Sequence, residues 1–141
     1  MRPFFQITFA LSFTTILGFA ACQKKGKAEL GMALIDAVRE GSARDARKLI
    51  EEGASLNVRD ENGEILWRVA LEHYNKRVWD VLVENKIDLS QVDSSGSYAI
   101  HVAAANGLSD AVEKILVIDA GKMQLNANGD TPLIAASRYG M

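Results

Sequence analysis

Residues of matching size and polarity recur along this chain every 33 positions. Three such positions are occupied by Met32, Ile65, Tyr98 and Thr131; by Leu34, Trp67, Ile100 and Leu133; and by Ala37, Ala70, Ala103 and Ala136. A fixed period of this length is typical of a stacked array of repeats, in which each unit buries its apolar face against its neighbours. The pattern therefore predicts a repeat solenoid.

Each period contains two segments with helical character and one polar stretch. Paired aliphatic residues mark the second helix at Leu49-Ile50, Leu82-Val83 and Ile115-Leu116. Small residues suited to a left-handed turn between the two helices stand at Gly41, Gly107 and Gly140. Glycines in polar surroundings, suited to the tight turn of a projecting hairpin finger, stand at Gly63, Gly96 and Gly129. Each unit is thus predicted to run helix, turn, helix, finger.

The residues at 128 to 133, Asn-Gly-Asp-Thr-Pro-Leu, resemble the opening of an ankyrin repeat. Thr131 is suited to cap the first helix, and Pro132 to occupy the first helical position, where a missing N–H costs nothing. The third unit fits the same family pattern through Asp93, Gly96, Ile100, His101, Ala103, Ala104, Asn106 and Gly107. The resemblance implies an all-α, ankyrin-like repeat solenoid of about three and a half helix-turn-helix repeats with hairpin fingers, at 32–64, 65–97, 98–130 and a shortened 131–141.

The second unit departs most from this pattern. Ile65 stands at the capping position, and Lys86 replaces the glycine seen at Gly53. Tyr74 stands where the neighbouring units have glycine, so either it adopts a costly positive φ or the turn is rebuilt around Asn75.

Residues 1–21 differ in composition from the repeats, because Arg2 is their only charged residue and the remainder is largely apolar. A charged start, an apolar run and small residues at the end are typical of a secretory signal peptide. The sequence Phe19-Ala20-Ala21-Cys22 resembles a bacterial lipobox, in which the cysteine is lipidated, although leucine is more usual at position 19. Cys22 is the only cysteine of the chain, so it has no internal disulfide partner.

Two other interpretations of residues 1–21 remain open. About 20 apolar residues can span a bilayer as an uncleaved anchor, and ordinary cleavage would leave a free thiol at Cys22. Under the lipoprotein interpretation, residues 22–31 are a lipidated cysteine with a short basic tether, and the array lies in the bacterial cell envelope. Gln23 after the cysteine resembles a signal for sorting to the outer membrane rather than the inner one.

Charge and residue content indicate neither nucleic-acid binding nor catalysis. Without Arg2, 15 basic residues stand against 18 acidic ones, a formal charge of −3, and no basic stripe is present. The only histidines, His73 and His101, lie near neither a cysteine nor paired carboxylates. We therefore expect no enzyme activity, metal, cofactor or small-molecule substrate. The resemblance assigns His101 to hydrogen bonds between repeats, and the register places Trp67 and Trp79 in the core.

The ankyrin resemblance implies that function lies in a protein-binding surface formed by the finger tips and the concave face of the first helices. Carried over by register, the candidate contacts are Glu61, Asn62, Glu64, Glu72, His73, Ser94, Ser95, Ser97, Asn106, Asn128, Asp130, Arg138 and Tyr139. Tyr139 is the strongest candidate anchor, because aromatic residues dominate interface energetics. The partner is expected to be a protein, which the sequence does not identify.

We therefore expect a membrane-tethered interaction module that acts as an adaptor or scaffold. The alternative is the recognition arm of a longer protein whose effector or catalytic part lies beyond residue 141, since the fourth unit stops after its turn glycine and solenoids need a terminal cap. In that unit Leu133, Ile134 and Ala135 are expected to lack their usual cover.

Overall fold

The computed structural model describes residues 25–118 and 124–140, which form seven α-helices. The helices are α1 (Lys27–Arg39), α2 (Ala43–Glu51), α3 (Leu66–Glu72), α4 (Lys76–Glu84), α5 (Ala99–Ala105), α6 (Ser109–Ile118) and α7 (Pro132–Arg138). No β-strand occurs in these two ranges, so the predicted all-α repeat fold is confirmed. The predicted signal peptide and Cys22 lie outside the described residues.

The helices form two layers. First helices of successive units, α1, α3, α5 and α7, pack side by side, and the second helices α2, α4 and α6 do the same behind them. The core lies between the layers, where Trp67, Trp79, Leu34 and Leu82 are fully buried. The prediction that both tryptophans belong to the core is confirmed by this burial.

Ion pairs join neighbouring second helices across the back of the array. They are Arg47 with Glu84, Lys76 with Asp110, and Asp80 with Lys114. The Lys76 Nζ lies 2.8 Å from Asp110 Oδ2, and this hydrogen bond raises the pKa of Lys76 and lowers the pKa of Asp110. Ion pairs that remain open to solvent add little stability.

The fourth unit begins as its sequence predicts. The Thr131 hydroxyl accepts a hydrogen bond of 3.3 Å from the N–H of Ile134, and Pro132 is the first residue of α7. The corresponding residues Ile65 and Tyr98 precede α3 and α5 without a side-chain cap. Their helices therefore depend more on packing than on local capping.

The first helix is longer than the repeat register suggests. It begins at Lys27, so the predicted boundary at residue 32 lies inside α1, and residues 27–31 of the predicted tether are helical. Packing explains the extension, because Leu30 and Gly31 are buried. A Cβ on Gly31 would lie 2.6 Å from a methyl carbon of Val58, so α1 approaches the first finger closely.

The turn of the second unit is rebuilt around Asn75, which decides between the two alternatives. Tyr74 does not adopt a positive φ, in contrast to Gly41 of the preceding unit at 72°. Instead, Asn75 Oδ1 accepts hydrogen bonds from the N–H groups of Arg77 and Val78, at 3.0 and 3.4 Å, and caps α4.

Lys86 adopts the left-handed conformation that its register position demands. Its φ is 59°, and Gly53 at the same position of the first unit has a φ of 100°. Lys86 is the only described non-glycine residue with a positive φ. The side chain makes this conformation costly, so Lys86 is a strained position of the second unit.

In the fourth unit, Leu133, Ile134 and Ala135 were expected to lack cover, and the structure agrees for the first two residues only. Leu133 and Ile134 are exposed, Leu133 by 79%. Ala135 is buried, contrary to expectation, since it lies on the side of α7 that packs against α5.

Candidate protein-binding surface

Each finger is closed by a side chain as well as by its glycine. The Oδ1 atom of one residue accepts hydrogen bonds of 2.9 Å from the N–H groups two and four positions further on. The residues that do this are Asp60, Asp93 and Asn126. Such side-chain bonds to the main chain hold a turn without help from a β-sheet. The fingers therefore present their tips in the same geometry three times.

Arginines from the helices hold the acidic finger residues in place. Arg39 of α1 donates to Asp60 Oδ2 at 2.8 Å, and Arg68 of α3 donates to Asp93 Oδ2 at 3.0 Å. The side chains of these two aspartates are only 5% and 2% exposed. Each pair fixes a finger relative to a helix because a buried carboxylate requires its hydrogen bonds.

The net effect on Asp60 is that its carboxyl group stays ionised more readily. Burial raises the pKa of Asp60, but hydrogen bonds from the N–H groups of Glu64 and Asn62 and the charge of Arg39 lower it. The lowering effects outweigh burial, so the pKa lies below its ordinary value of 3.8. The carboxylate of Asp60 is therefore ionised over the whole neutral pH range, where it can accept hydrogen bonds from Arg39 and from the main chain of the first finger.

Seven of the predicted contact residues line one groove of about 390 Å³ between the last two described fingers and the first helices. They are Ser95, Ser97, Asn106, Asn128, Asp130, Arg138 and Tyr139. Arg68, His101 and Asn126 also line this groove, although sequence analysis did not select them for binding. Tyr139 is 70% exposed, so it presents an aromatic face at the edge of a polar groove.

The other predicted contacts lie outside the groove. Glu61 is exposed and lies 3.4 Å from Arg39, and Glu72 accepts a hydrogen bond of 2.9 Å from Arg68. His73 is exposed at the end of α3. The remaining three are the exposed Asn62, Ser94, whose hydroxyl donates to the carboxylate of Glu64, and Glu64 itself. These residues form a more acidic surface beside the groove.

Asp130 was predicted to contact a partner, but its side chain is largely buried. Its side chain is 9% exposed, and Oδ1 accepts a hydrogen bond of 3.0 Å from Arg138. The main-chain oxygen of Asp130 bonds to His101 Nε2 at 3.0 Å. Asp130 therefore positions Arg138 and the third finger.

The hydrogen bond between His101 Nε2 and the main-chain oxygen of Asp130 confirms the predicted role of His101 between repeats, since Asp130 lies 29 residues further along the chain. Because a carbonyl oxygen can only accept, His101 Nε2 donates the hydrogen of this bond. Nδ1 is buried and has no hydrogen-bond partner within the described residues. The ring centroid of Tyr98 lies 5.9 Å from that of His101. Tyr98 directly precedes α5 and makes no capping hydrogen bond.

Other kinds of site find little support in the parts that the structure describes. No group of three or more histidine, cysteine, aspartate or glutamate residues there is arranged to hold a metal ion. Nor does any of the described helices combine the length and apolar character needed to cross a bilayer.

The comparison with protein families agrees with this geometry. A family model described as "Ankyrin repeats (3 copies)" matches residues 34–122 and, in an overlapping match, residues 66–141. The chain belongs to the ankyrin-repeat family. Ankyrin repeats form protein–protein interaction modules and are typically not enzymes.

In this ankyrin-repeat chain, sequence analysis selected exposed residues of the candidate surface but missed the residues that hold the fingers in place. Asp60 and Asn126 follow the same 33-residue step as Asp93, and this step is a sequence signal that could have identified them. The ankyrin fingers also depend on Arg39 and Arg68, which do not share a register position. Only the folded array shows which aspartate each arginine reaches.

Proposed function

We propose that this ankyrin-repeat chain is a membrane-tethered adaptor or scaffold in the bacterial cell envelope. The tether is a lipid on Cys22, added after removal of residues 1–21, and Gln23 favours the outer membrane over the inner one. The support for this tether is the lipobox-like sequence before a single cysteine. Two or more acyl chains on one residue would hold the array firmly at the membrane.

The observation that carries the proposed binding function is the polar groove with Tyr139 at its edge. Asn106, Asn128 and Ser95 provide amide and hydroxyl groups that can both donate and accept hydrogen bonds. Tyr139 adds an exposed aromatic ring to this polar floor. This combination suits a protein segment that places an apolar side chain against the ring and its main-chain groups against the floor.

The tether is tested by comparing the expressed wild-type chain with Cys22→Ala by intact mass and membrane fractionation. We expect the wild type to lose residues 1–21, gain acyl mass and require detergent for extraction, and the variant to show none of these changes. Equal mass and extraction of the two chains would contradict lipidation and leave a membrane anchor or a simple signal for residues 1–21.

The groove is tested by crosslinking in envelope preparations. We expect Tyr139→Ala to lower the yield of crosslinked partner about tenfold, because an aromatic anchor that a partner covers contributes a large share of binding energy. Arg44→Ala is the matched control, since Arg44 is an exposed residue of α2 on the other layer of the array. Equal yields from the two variants would contradict binding in this groove.

A further inference from the structure

Three asparagines of this chain directly precede a glycine, the sequence in which an asparagine side chain loses its amide group most readily. They are Asn62, Asn106 and Asn128, and all three are exposed. In this reaction the main-chain nitrogen of the glycine attacks the side-chain carbonyl carbon and loses its proton, and ammonia leaves. Water then opens the cyclic imide to aspartate or isoaspartate. Glycine favours the attack because it has no Cβ to obstruct it.

Two of these asparagines hold the same position at the tips of the first and third fingers. They are Asn62 and Asn128, and Ser95 holds this position in the second finger. A Cβ placed on either following glycine, Gly63 or Gly129, would meet no atom within 4 Å, so the space beside both peptide bonds is open.

The attacking nitrogen is engaged in a hydrogen bond in both fingers. The Gly63 N–H donates to the main-chain oxygen of Asp60 at 2.9 Å, and the Gly129 N–H donates to that of Asn126 at the same distance. The reaction therefore requires each turn to open locally, and its rate depends on how firmly the finger is held.

Two arginines hold the first finger closed. Arg59 Nη1 donates to the main-chain oxygen of Gly63 at 3.0 Å, so it restrains the residue whose nitrogen must move. Arg39 donates to Asp60 Oδ2 at 2.8 Å and restrains the other side of the turn. Asn62 is therefore held in a finger that opens at the expense of two charge-assisted hydrogen bonds.

The third finger lacks both arginine contacts. The residues at the corresponding positions are Leu125 for Arg59, Ala105 for Arg39 and Asn126 for Asp60. The Ala127 N–H donates to the main-chain oxygen of Gly96 at 3.0 Å, but this bond holds the residue before Asn128 and not the glycine after it. The third finger therefore opens at a lower cost than the first.

The third asparagine lies at the end of a helix. The Gly107 N–H donates to the main-chain oxygen of Ala104 at 3.1 Å, and the Leu108 N–H donates to that of Ala103 at 2.9 Å. These bonds close the last turn of α5. Attack on Asn106 must therefore open the end of the helix.

We propose that Asn128 is a site of spontaneous deamidation and reacts faster than Asn62 and Asn106. Asn128 and Arg138 both line the polar groove, so either product brings a new negative charge to that groove. Isoaspartate also lengthens the main chain of the finger by one carbon atom. The effect on a bound partner rests on the function proposed above, whereas the modification itself does not.

The modification is tested by incubating the folded full chain at neutral pH and measuring amide loss at each asparagine by peptide mass spectrometry. We expect Asn128 to react about fivefold faster than Asn62, because each exposed charge-assisted contact of the first finger contributes modestly. The same chain in urea is the control for flanking sequence. There the rates at the three asparagines should converge.

Variants identify the cause of the difference. Arg59→Ala should raise the rate at Asn62 about threefold and leave the rate at Asn128 unchanged. Arg44→Ala, an exposed change in α2, should alter neither rate. Asn128→Ser places the residue of the second finger in the third and should abolish the reaction there.

Three results would overturn the proposal. The first is a rate at Asn62 or Asn106 that equals or exceeds the rate at Asn128 in the folded chain. The second is the same difference between rates in urea, which would assign it to flanking sequence. The third is an unchanged rate at Asn62 in Arg59→Ala.

The effect on the groove is measured separately, by the crosslinking described above. Asn128→Asp reproduces one product and should lower the yield of crosslinked partner relative to Asn128→Ser. Equal yields would contradict an effect on binding. The mass measurement requires no partner, so failure of the deamidation proposal is distinguishable from failure of the adaptor function.

Discussion

Arg68 and Asp93 join the first helix of the second unit to the finger that follows it. Arg68 Nη1 donates to Asp93 Oδ2 at 3.0 Å, while Asp93 Oδ1 accepts from the N–H groups of Ser95 and Ser97 at 2.9 Å. One carboxylate therefore closes the turn and attaches it to a helix. This double use explains why a residue in an irregular segment is as buried as the core.

Replacement of Asp93 should separate its two roles. Asp93→Ala removes the turn bonds and leaves Arg68 without this partner, so we expect a loss of about 2–4 kcal/mol in the free energy of unfolding. Asp93→Asn keeps an oxygen for the turn and should cost clearly less. Urea denaturation followed by circular dichroism measures both. Equal losses would show that the charge, and not the turn, accounts for the effect.

Lys86 and Gly53 form a matched pair at one register position. Lys86→Gly should stabilise the chain by about 1 kcal/mol, because glycine adopts a positive φ without the steric cost of a side chain. Gly53→Ala should destabilise it by a similar amount, although no atom lies within 4 Å of the added carbon. Thermal unfolding of the two variants tests the signs. A stabilising Gly53→Ala would contradict the conformational explanation.

The cap of α4 predicts a local effect at Asn75. Asn75→Ala removes the acceptor for two N–H groups at the start of the helix, and we expect a loss of about 1 kcal/mol. Arg77→Ala, an exposed change in the first turn, is the control and should have little effect. Chemical denaturation compares the two. Similar losses in both variants would contradict the capping explanation.

Asp60 should make stability depend on pH in the acid range. Its pKa in the folded chain lies below 3.8, so the charge stabilises the fold above that value, and this stabilisation is lost as pH falls through the folded pKa. We therefore expect the wild type to exceed Asp60→Asn in the free energy of unfolding at pH 5 to 7. The difference should narrow below about pH 4. A constant difference down to pH 2.5 would contradict this linkage.

Much of the fold could be predicted because the determinants are local. The cap by Thr131, the left-handed turn at Gly41 and the helix start at Pro132 depend on residues within a few positions of one another. The rebuilt turn at Asn75 was one of two alternatives, and local chemistry could not choose between them. In the folded chain Tyr74 is partly buried against the core, and Asn75 caps α4.

The candidate binding surface could be predicted only in part. Ser95, Asn106 and Tyr139 were selected by register, and the structure brings them to one groove. Asp130 was selected by the same register, yet its side chain is 9% exposed; its Oδ1 accepts from Arg138 and its main-chain oxygen accepts from His101. The repeat register predicts on which face of the array a residue lies. Whether its side chain remains accessible depends on contacts that only the folded chain shows.

By itself the sequence determined a 33-residue repeat of two helices and a finger, because this period places the same residue types at each cap, turn and buried face. The tertiary structure alone decided which charges meet and which surfaces stay open. Arg68 reaches Asp93 across 25 positions, and Leu116 stays exposed although Val83, one unit earlier, lies against a neighbouring helix. The physical reason is that burial depends on which unit stacks next, and that neighbour is not encoded within the repeat itself.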